Sequence, residues 1–168
     1  MNIGIRAWRI GDSQNLVKAL NNKKILDNLR DGLPFPYTAS DAESFISLML
    51  SSDRDKTYAW AITADGMAVG SIGAFRKDNV HRLTAEMGYY VAEDYWGKGI
   101  ATNAVKLACM YIFDHTDIVR VFAEPYAVNV ASCRVLEKAG FTFEGTLRKN
   151  AVKNGHLMDM SMYAIIKG

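Results

Sequence analysis

The sequence predicts an α/β protein, one sheet with antiparallel arms behind a helical front, and three observations carry the prediction. Two β-like runs, Thr57 to Thr63 and Met67 to Phe75, are separated by Asp65-Gly66, the dipeptide of a tight antiparallel hairpin. A helical run separates the strand-like stretch Arg82 to Val91 from the apolar stretch Val119 to Ala123, and a helix between two strands lets them lie parallel in one sheet. Phe141 to Leu147 and Leu157 to Ile166 form a closing pair joined near Asn154-Gly155. With 168 residues, 49% of them hydrophobic, residues 1–168 make a single domain able to bury a core without a disulfide or a structural metal.

The remaining elements follow in order. Ile3, Ile5 and Ala7 alternate with polar or small neighbours and predict a short first strand. Asp12 or Ser13 caps a helix whose apolar positions Leu16, Val17 and Leu20 recur at helical spacing. Leu33-Pro34-Phe35-Pro36-Tyr37 must be extended, because each proline fixes its own φ and moves its predecessor out of the helical region. Thr38 or Ser40 restarts a helix, with Glu43 placed for a capping box and Phe45, Ile46, Leu48 and Met49 inward. This front third holds no obvious catalytic cluster, although its helices and aromatic proline loop are suited to walling a pocket. In the strand ending at Val91, the residues Leu83, Ala85, Met87, Tyr89 and Val91 share one face, and Glu86, Gly88 and Tyr90 the other. A helix from about Asn129 to Ala139 ends at Gly140, a left-handed cap.

Composition excludes several classes of function. The 20 basic and 18 acidic residues are interspersed, so no arm or stripe suited to nucleic acid exists. Cys109 and Cys133 lack CxxC spacing, and the histidines His81, His115 and His156 are scattered, so no zinc or other metal site is expected. The two cysteines read as buried thiols of a reducing compartment. No apolar run reaches membrane-spanning or signal-peptide length, and a cytoplasmic protein with no membrane partner is expected.

The chain is organised around the stretch Glu93 to Phe113, a strand end, a glycine turn and a helix. Gly97 and Gly99 remove side chains where the backbone bends or a ligand approaches, and the helix after them starts with unpartnered amides at its positive end. Such a turn takes an anion, or serves only as a tight connection. Gly97-Lys98-Gly99 lacks the order of a nucleotide-triphosphate loop, and Thr102 stands where a dinucleotide fingerprint needs its third glycine. Tyr89, Tyr90, Tyr95 and Trp96 cluster here as core and pocket wall.

Together with the later segment Asn129-Val-Ala-Ser132-Cys-Arg-Val-Leu136-Glu-Lys-Ala-Gly140-Phe141, this turn resembles the GNAT superfamily of acetyl-CoA-dependent N-acetyltransferases, most closely its RimJ/RimL-like branch. The resemblance covers Glu86 through Ile166. The family motif Arg/Gln-x-x-Gly-x-Gly/Ala maps onto Trp96 to Ala101, with Trp96 in place of the basic or amide residue. It implies a GNAT-like mixed, mostly antiparallel central sheet with flanking helices and a splayed pair of parallel strands. It also implies that the amides of Gly97, Lys98, Gly99, Ile100, Ala101 and Thr102 hold the pyrophosphate of acetyl-CoA. Backbone groups around Tyr90 and Val91 would then contact the pantetheine arm and polarise the thioester, and Asn129, by its type also an N-cap, contacts the co-substrate.

For catalysis, the resemblance places Leu136 where many relatives carry a tyrosine acid, and Ala151 where some carry a glutamate. In the RimJ/RimL-like branch the serine of Asn-x-x-Ser is the substitute, which makes Ser132 the candidate acid or a backbone and co-substrate contact. Glu86 is the candidate base, or else a strand residue paired with Arg82, and Glu124 is the second choice. The expected reaction is acetyl transfer to a primary amine, first a protein or peptide N-terminus. The alternatives are a small amine such as a polyamine, aminoglycoside or amino acid, and a non-catalytic acyl-CoA-binding module. The edge strands permit a homodimer.

Overall fold

The structure is a computed structural model and describes residues Met1–Gly168. Seven strands form one sheet: β1 Ile3–Arg6, β2 Thr57–Ala64, β3 Met67–Arg76, β4 Thr84–Val91, β5 Arg120–Ala123, β6 Thr142–Lys153 and β7 His156–Ile166. Their spatial order is β1-β2-β3-β4-β5-β7-β6. Every neighbouring pair is antiparallel except β4 and β5, which are parallel through Thr84↔Arg120, Ala85↔Val121 and Glu86↔Phe122. β4 runs on to Val91 without β5 beside it, so the sheet opens into a wedge at its centre. This is the mixed, mostly antiparallel sheet with a splayed parallel pair that the sequence implied.

The turns form for the reasons the sequence supplies. Asp65 and Gly66 have φ values of 50° and 84°, and Asn154 and Gly155 of 51° and 76°; two successive left-handed residues match the twist of a two-residue hairpin. β6 is longer than expected, because two register shifts carry it past Leu147 to Lys153.

Five helices cover the sheet: α1 Ser13–Leu20, α2 Lys23–Leu26, α3 Ala39–Ser51, α4 Ile100–His115 and α5 Val130–Lys138. α4 and α5 cover one face, where Ile62, Ile72, Met87, Val105, Ile112, Val121 and Leu136 are buried. α1 to α3 cover the other, around Trp8, Leu16, Leu20, Tyr37 and Ile46. Each fully buried branched side chain contributes on the order of 1.5–3 kcal/mol. α5 ends in a Schellman motif: the Phe141 amide donates to Leu136 O at 3.0 Å and the Gly140 amide to Glu137 O at 3.1 Å, with Gly140 at φ 99°.

The front third departs from the sequence reading in four details. The Asp12 carboxylate does not cap α1; it takes the Arg6 guanidinium at 2.8 and 2.9 Å and the Arg9 amide at 2.9 Å. α2, capped by the Asn22 side chain, was not anticipated. The capping box of α3 pairs Thr38 with Asp41, not Glu43, because Asp41 stands at the third helical position. Leu48 is 61% exposed rather than inward. Residues Asp31 to Tyr37 carry neither helix nor strand, as the prolines require.

Candidate functional site

The glycine turn is built to leave amides free. Gly97 and Gly99 have φ values of 72° and 74°, which non-glycine residues rarely adopt, and a Cβ at Gly97 would meet nothing within 4 Å, so the turn is bare on its outer side. Gly99 is the N-cap of α4 and has no side chain to spend on the helix amides. The first intrahelical bond is Asn103 N–H to Gly99 O at 3.1 Å, which leaves the amides of Ile100, Ala101 and Thr102 without helical partners at the positive end of a sixteen-residue helix. Lys98 projects beside them, its Nζ donating to Asp94 O at 3.0 Å and lying 5.1 Å from the Tyr95 ring centroid. Lys106, Arg134 and Lys138 are exposed and make no ion pair.

Trp96, in place of the motif's basic or amide residue, fastens the turn to the sheet: its Nε1 donates to Val91 O at 2.7 Å. The turn is fastened on its other side by Glu93, whose carboxylate accepts from Asn22 Nδ2 at 2.6 Å and pairs with Lys24.

The register of β4 decides which backbone groups face the wedge. Ala92 N–H donates to Val69 O and Lys77 N–H to Thr84 O, so the even residues of β4 direct their backbone groups at β3. Those of Met87, Tyr89 and Val91 therefore point toward β5 and, past Glu86, into the wedge. Of the two backbone candidates, Val91 presents its N–H there, whereas the backbone of Tyr90 is committed to β3 opposite Ser71. The approach of β3 to β4 is close at this point: a Cβ on Gly70 would lie 2.3 Å from Tyr90 O.

On the α4/α5 side of the wedge stands Ser132. Asn129 caps α5 by accepting the Ser132 amide at 3.3 Å, which fixes Ser132 in the first turn. Tyr89, from β4, brings its hydroxyl to 2.9 Å from Ser132 Oγ and donates to Ser132 O at 3.2 Å. Burial pushes the Tyr89 phenol well above its ordinary range, so it stays protonated near neutrality. The sequence placed Tyr89 only among pocket-wall aromatics; a contact across 43 residues leaves no local signal.

On the opposite face lies a pocket of about 480 Å³ lined by Arg30, Lys77, Glu86, Phe122, Glu124 and Tyr126, with Asp31 and Ala151 at its wall. Glu86 pairs with Phe122 across the parallel strands and Glu124 follows two residues on, so all three point the same way. Glu86 is not paired with Arg82. Its partners are Arg30 at 2.7 Å and, more distantly, Lys77 at 3.9 Å. Arg30 also reaches Glu124 at 3.7 Å. Burial, and then the neighbouring charge of Glu86, raise the Glu124 carboxyl above its usual range, with Arg30 and Lys77 opposing. Ser132 and Glu86 thus stand on opposite faces of β4, on either side of the wedge between β4 and β5. Arg30, on the segment after α2, and Lys77 and Tyr126 beside it are site residues that sequence reasoning missed.

The family described as acetyltransferase (GNAT) domain matches residues 2–142. A probable N-acetyltransferase of Bacillus subtilis (strain 168), YjcK, is 36% identical over 116 residues, 68% of this chain and 64% of its own length. A putative ribosomal N-acetyltransferase of the same organism, YdaF, is 35% identical over 103 residues, 61% of this chain and 56% of its own. The chain thus spans less than two thirds of either relative. In fold, the chain is similar to RimL, a ribosomal alpha-N-protein acetyltransferase solved in complex with coenzyme A, at a TM-score of 0.85 and 22% identity, covering 99% of this chain and 94% of that one. The extent of the family match leads to one conclusion: the chain belongs to the acetyltransferase (GNAT) domain family.

Proposed function

We propose that this protein transfers the acetyl group of acetyl-CoA to a primary amine, in the first place the α-amine at a protein or peptide N-terminus. The observation that carries the reading is the wedge between β4 and β5, with unpartnered helix amides at one side of its mouth and the Glu86–Glu124 pocket on the face beyond. The amides of Gly97 to Thr102, with Lys98 beside them, hold the pyrophosphate, as helix N-termini hold anions. The Val91 N–H points into the wedge, where it polarises the thioester carbonyl. Asn129 and Ser132 border the pantetheine arm at the start of α5.

In the transfer the amine nitrogen bonds to the thioester carbon and the carbon–sulfur bond breaks. Ser132, held in place by Tyr89, gives its hydroxyl proton to the departing thiolate and takes in exchange the second proton that the nitrogen loses as the amide forms, so the serine is restored. Glu86 takes the proton lost by the ammonium, with Glu124 the second carboxylate within reach of the same pocket.

The pocket's charge bears on the acceptor. It carries Arg30 and Lys77 as well as Asp31, Glu86 and Glu124, a mixed lining that suits one amine on an otherwise neutral chain better than a polycation. An α-amine is also easier to deprotonate: its pKa of about 8, against about 10.4 for a lysine-type amine, saves about 3 kcal/mol at neutral pH. A small diamine is the second reading, favoured by the two carboxylates on one face. Release of free CoA thiol is the test, measured with peptides bearing Ser or Ala N-termini, polyamines, aminoglycosides and amino acids. Turnover with peptides alone supports the first reading, turnover with a small amine replaces it, and silence throughout overturns the transferase reading.

A further inference from the structure

We propose that the Arg30 guanidinium occupies the place of the acceptor's ammonium, bridging Glu86 and Glu124, and that an incoming amine binds by displacing it. The proposal rests on the acceptor reading given above. One cation spans both carboxylates, with Arg30 Nη2 at 2.7 Å from Glu86 Oε1 and 3.7 Å from Glu124 Oε2. The partners differ in exposure and in the elements that carry them. The carboxylates sit on or beside the central strands and are 17% and 19% exposed, while the Arg30 side chain is 62% exposed on a connecting segment. The carboxylates are therefore a fixed, partly desolvated anionic seat, and the guanidinium is its replaceable occupant.

The backbone on either side of Arg30 is held independently. Tyr126 donates its hydroxyl to Leu29 O at 3.1 Å, and Asp31 pairs with the nearly buried Lys153 at 2.8 Å. Arg30 can swing away by rotating its own side-chain bonds, without unfolding the segment that walls the pocket. The guanidinium also has what a competitor needs, one positive charge and several donors matched to two carboxylates. Lys77 lies 3.9 Å from Glu86 and keeps part of the charge balanced during the exchange. Arg30 so defined is a specificity residue: only an acceptor that brings its own cation recovers the interaction it breaks, and an acetylated product, being neutral, hands the seat back.

The test uses the whole protein and a tripeptide amide, Ser-Ala-Ala, with its amine free or acetylated, alongside ethylammonium and spermidine. The side-chain Nε–H resonance of Arg30, assigned by its loss in Arg30→Gln, is followed by NMR, and affinities are measured for both proteins. The expected result is that free amines move this resonance, the acetylated peptide does not, and Arg30→Gln binds free amines about fivefold more tightly, as removal of an ion-pair competitor requires. Equal or weaker binding by Arg30→Gln overturns the proposal, since Arg30 would then recognise the acceptor. CoA release with the Arg30 resonance unmoved overturns the displacement and leaves the transferase reading standing. Displacement without CoA release does the reverse, and neither response overturns both.

Discussion

The hydroxyl of Tyr89 lies 2.9 Å from Ser132 Oγ, and this contact joins the central strand β4 to the first turn of α5 across the wedge of the sheet. Two elements that approach the same opening from different parts of the chain are thereby set in a fixed relation. The serine hydroxyl is held by a phenol that burial keeps protonated, and the serine's backbone amide by the Asn129 helix cap.

Ser132→Ala is expected to lower kcat by about a hundredfold, the usual contribution of a positioned proton donor, with CoA affinity changed less than about threefold. Tyr89→Phe keeps the proton donor and loses only its orientation, so a smaller loss of kcat and about 1 kcal/mol of stability are expected. Steady-state kinetics and urea denaturation check both. Unchanged turnover in Ser132→Ala removes the serine from the chemistry.

Gly99→Val places a β-branched residue at φ 74°, at an estimated cost of about 1–3 kcal/mol, although space is available, since a Cβ's nearest neighbour is Asn103 Nδ2 at 3.8 Å. CoA binding by calorimetry is expected to weaken at least about tenfold, the effect of misdirecting the amides that face the phosphates. Unchanged affinity would refute the phosphate site.

Gly70→Ala sets a methyl group 2.3 Å from the Tyr90 carbonyl oxygen, a backbone atom that cannot turn aside. Forced separation of β3 from β4 is expected to cost about 1–3 kcal/mol, read as a fall in Tm of about 3–10 °C. Because the strain falls beside the wedge, CoA affinity should fall with it.

Glu124 has its carboxyl raised above the ordinary range, by burial and then by Glu86. A raised acid contributes stability that is complete below its unfolded-state pKa and is lost as pH rises through the folded one. Glu124→Gln is therefore expected to raise the urea midpoint relative to the parent at about pH 7 and to leave it unchanged at about pH 3, below the ordinary glutamate pKa of about 4.3. An equal effect at both pH values would mean that packing, and not charge, is what the substitution changes.

Much of the fold was legible because its decisive signals are local. Asp65-Gly66, Asn154-Gly155 and Gly140 each name a backbone conformation that few residues adopt, and each is found in it. α2 was missed because four residues show no helical period, and only its Asn22 cap gives a sign. Leu48 was misplaced because spacing fixes which residues share a helix face, and not how much of that face another element covers.

The candidate site was legible where it consists of backbone, at the turn and at the cap of α5, since glycine and asparagine betray such geometry. It was illegible where it consists of side chains meeting across the fold. The ion pair of Arg30 with Glu86 spans 56 residues and replaces the neighbour, Arg82, that sequence proximity suggested. Gly70 shows the same limit, since a strand glycine reveals its purpose only when the opposing carbonyl is in place.

Only three residue pairs join β4 to β5, so four strands on one side and three on the other meet along a seam about one helical turn long. Mechanically the sheet is two plates on a short hinge, braced by the packing of α4 and α5. Amide exchange should accordingly be fastest along the unpaired edge of β4 beyond Glu86, and slow deep within either plate. A ligand seated in that gap would act as the missing rung, stiffening the whole molecule while touching little of it.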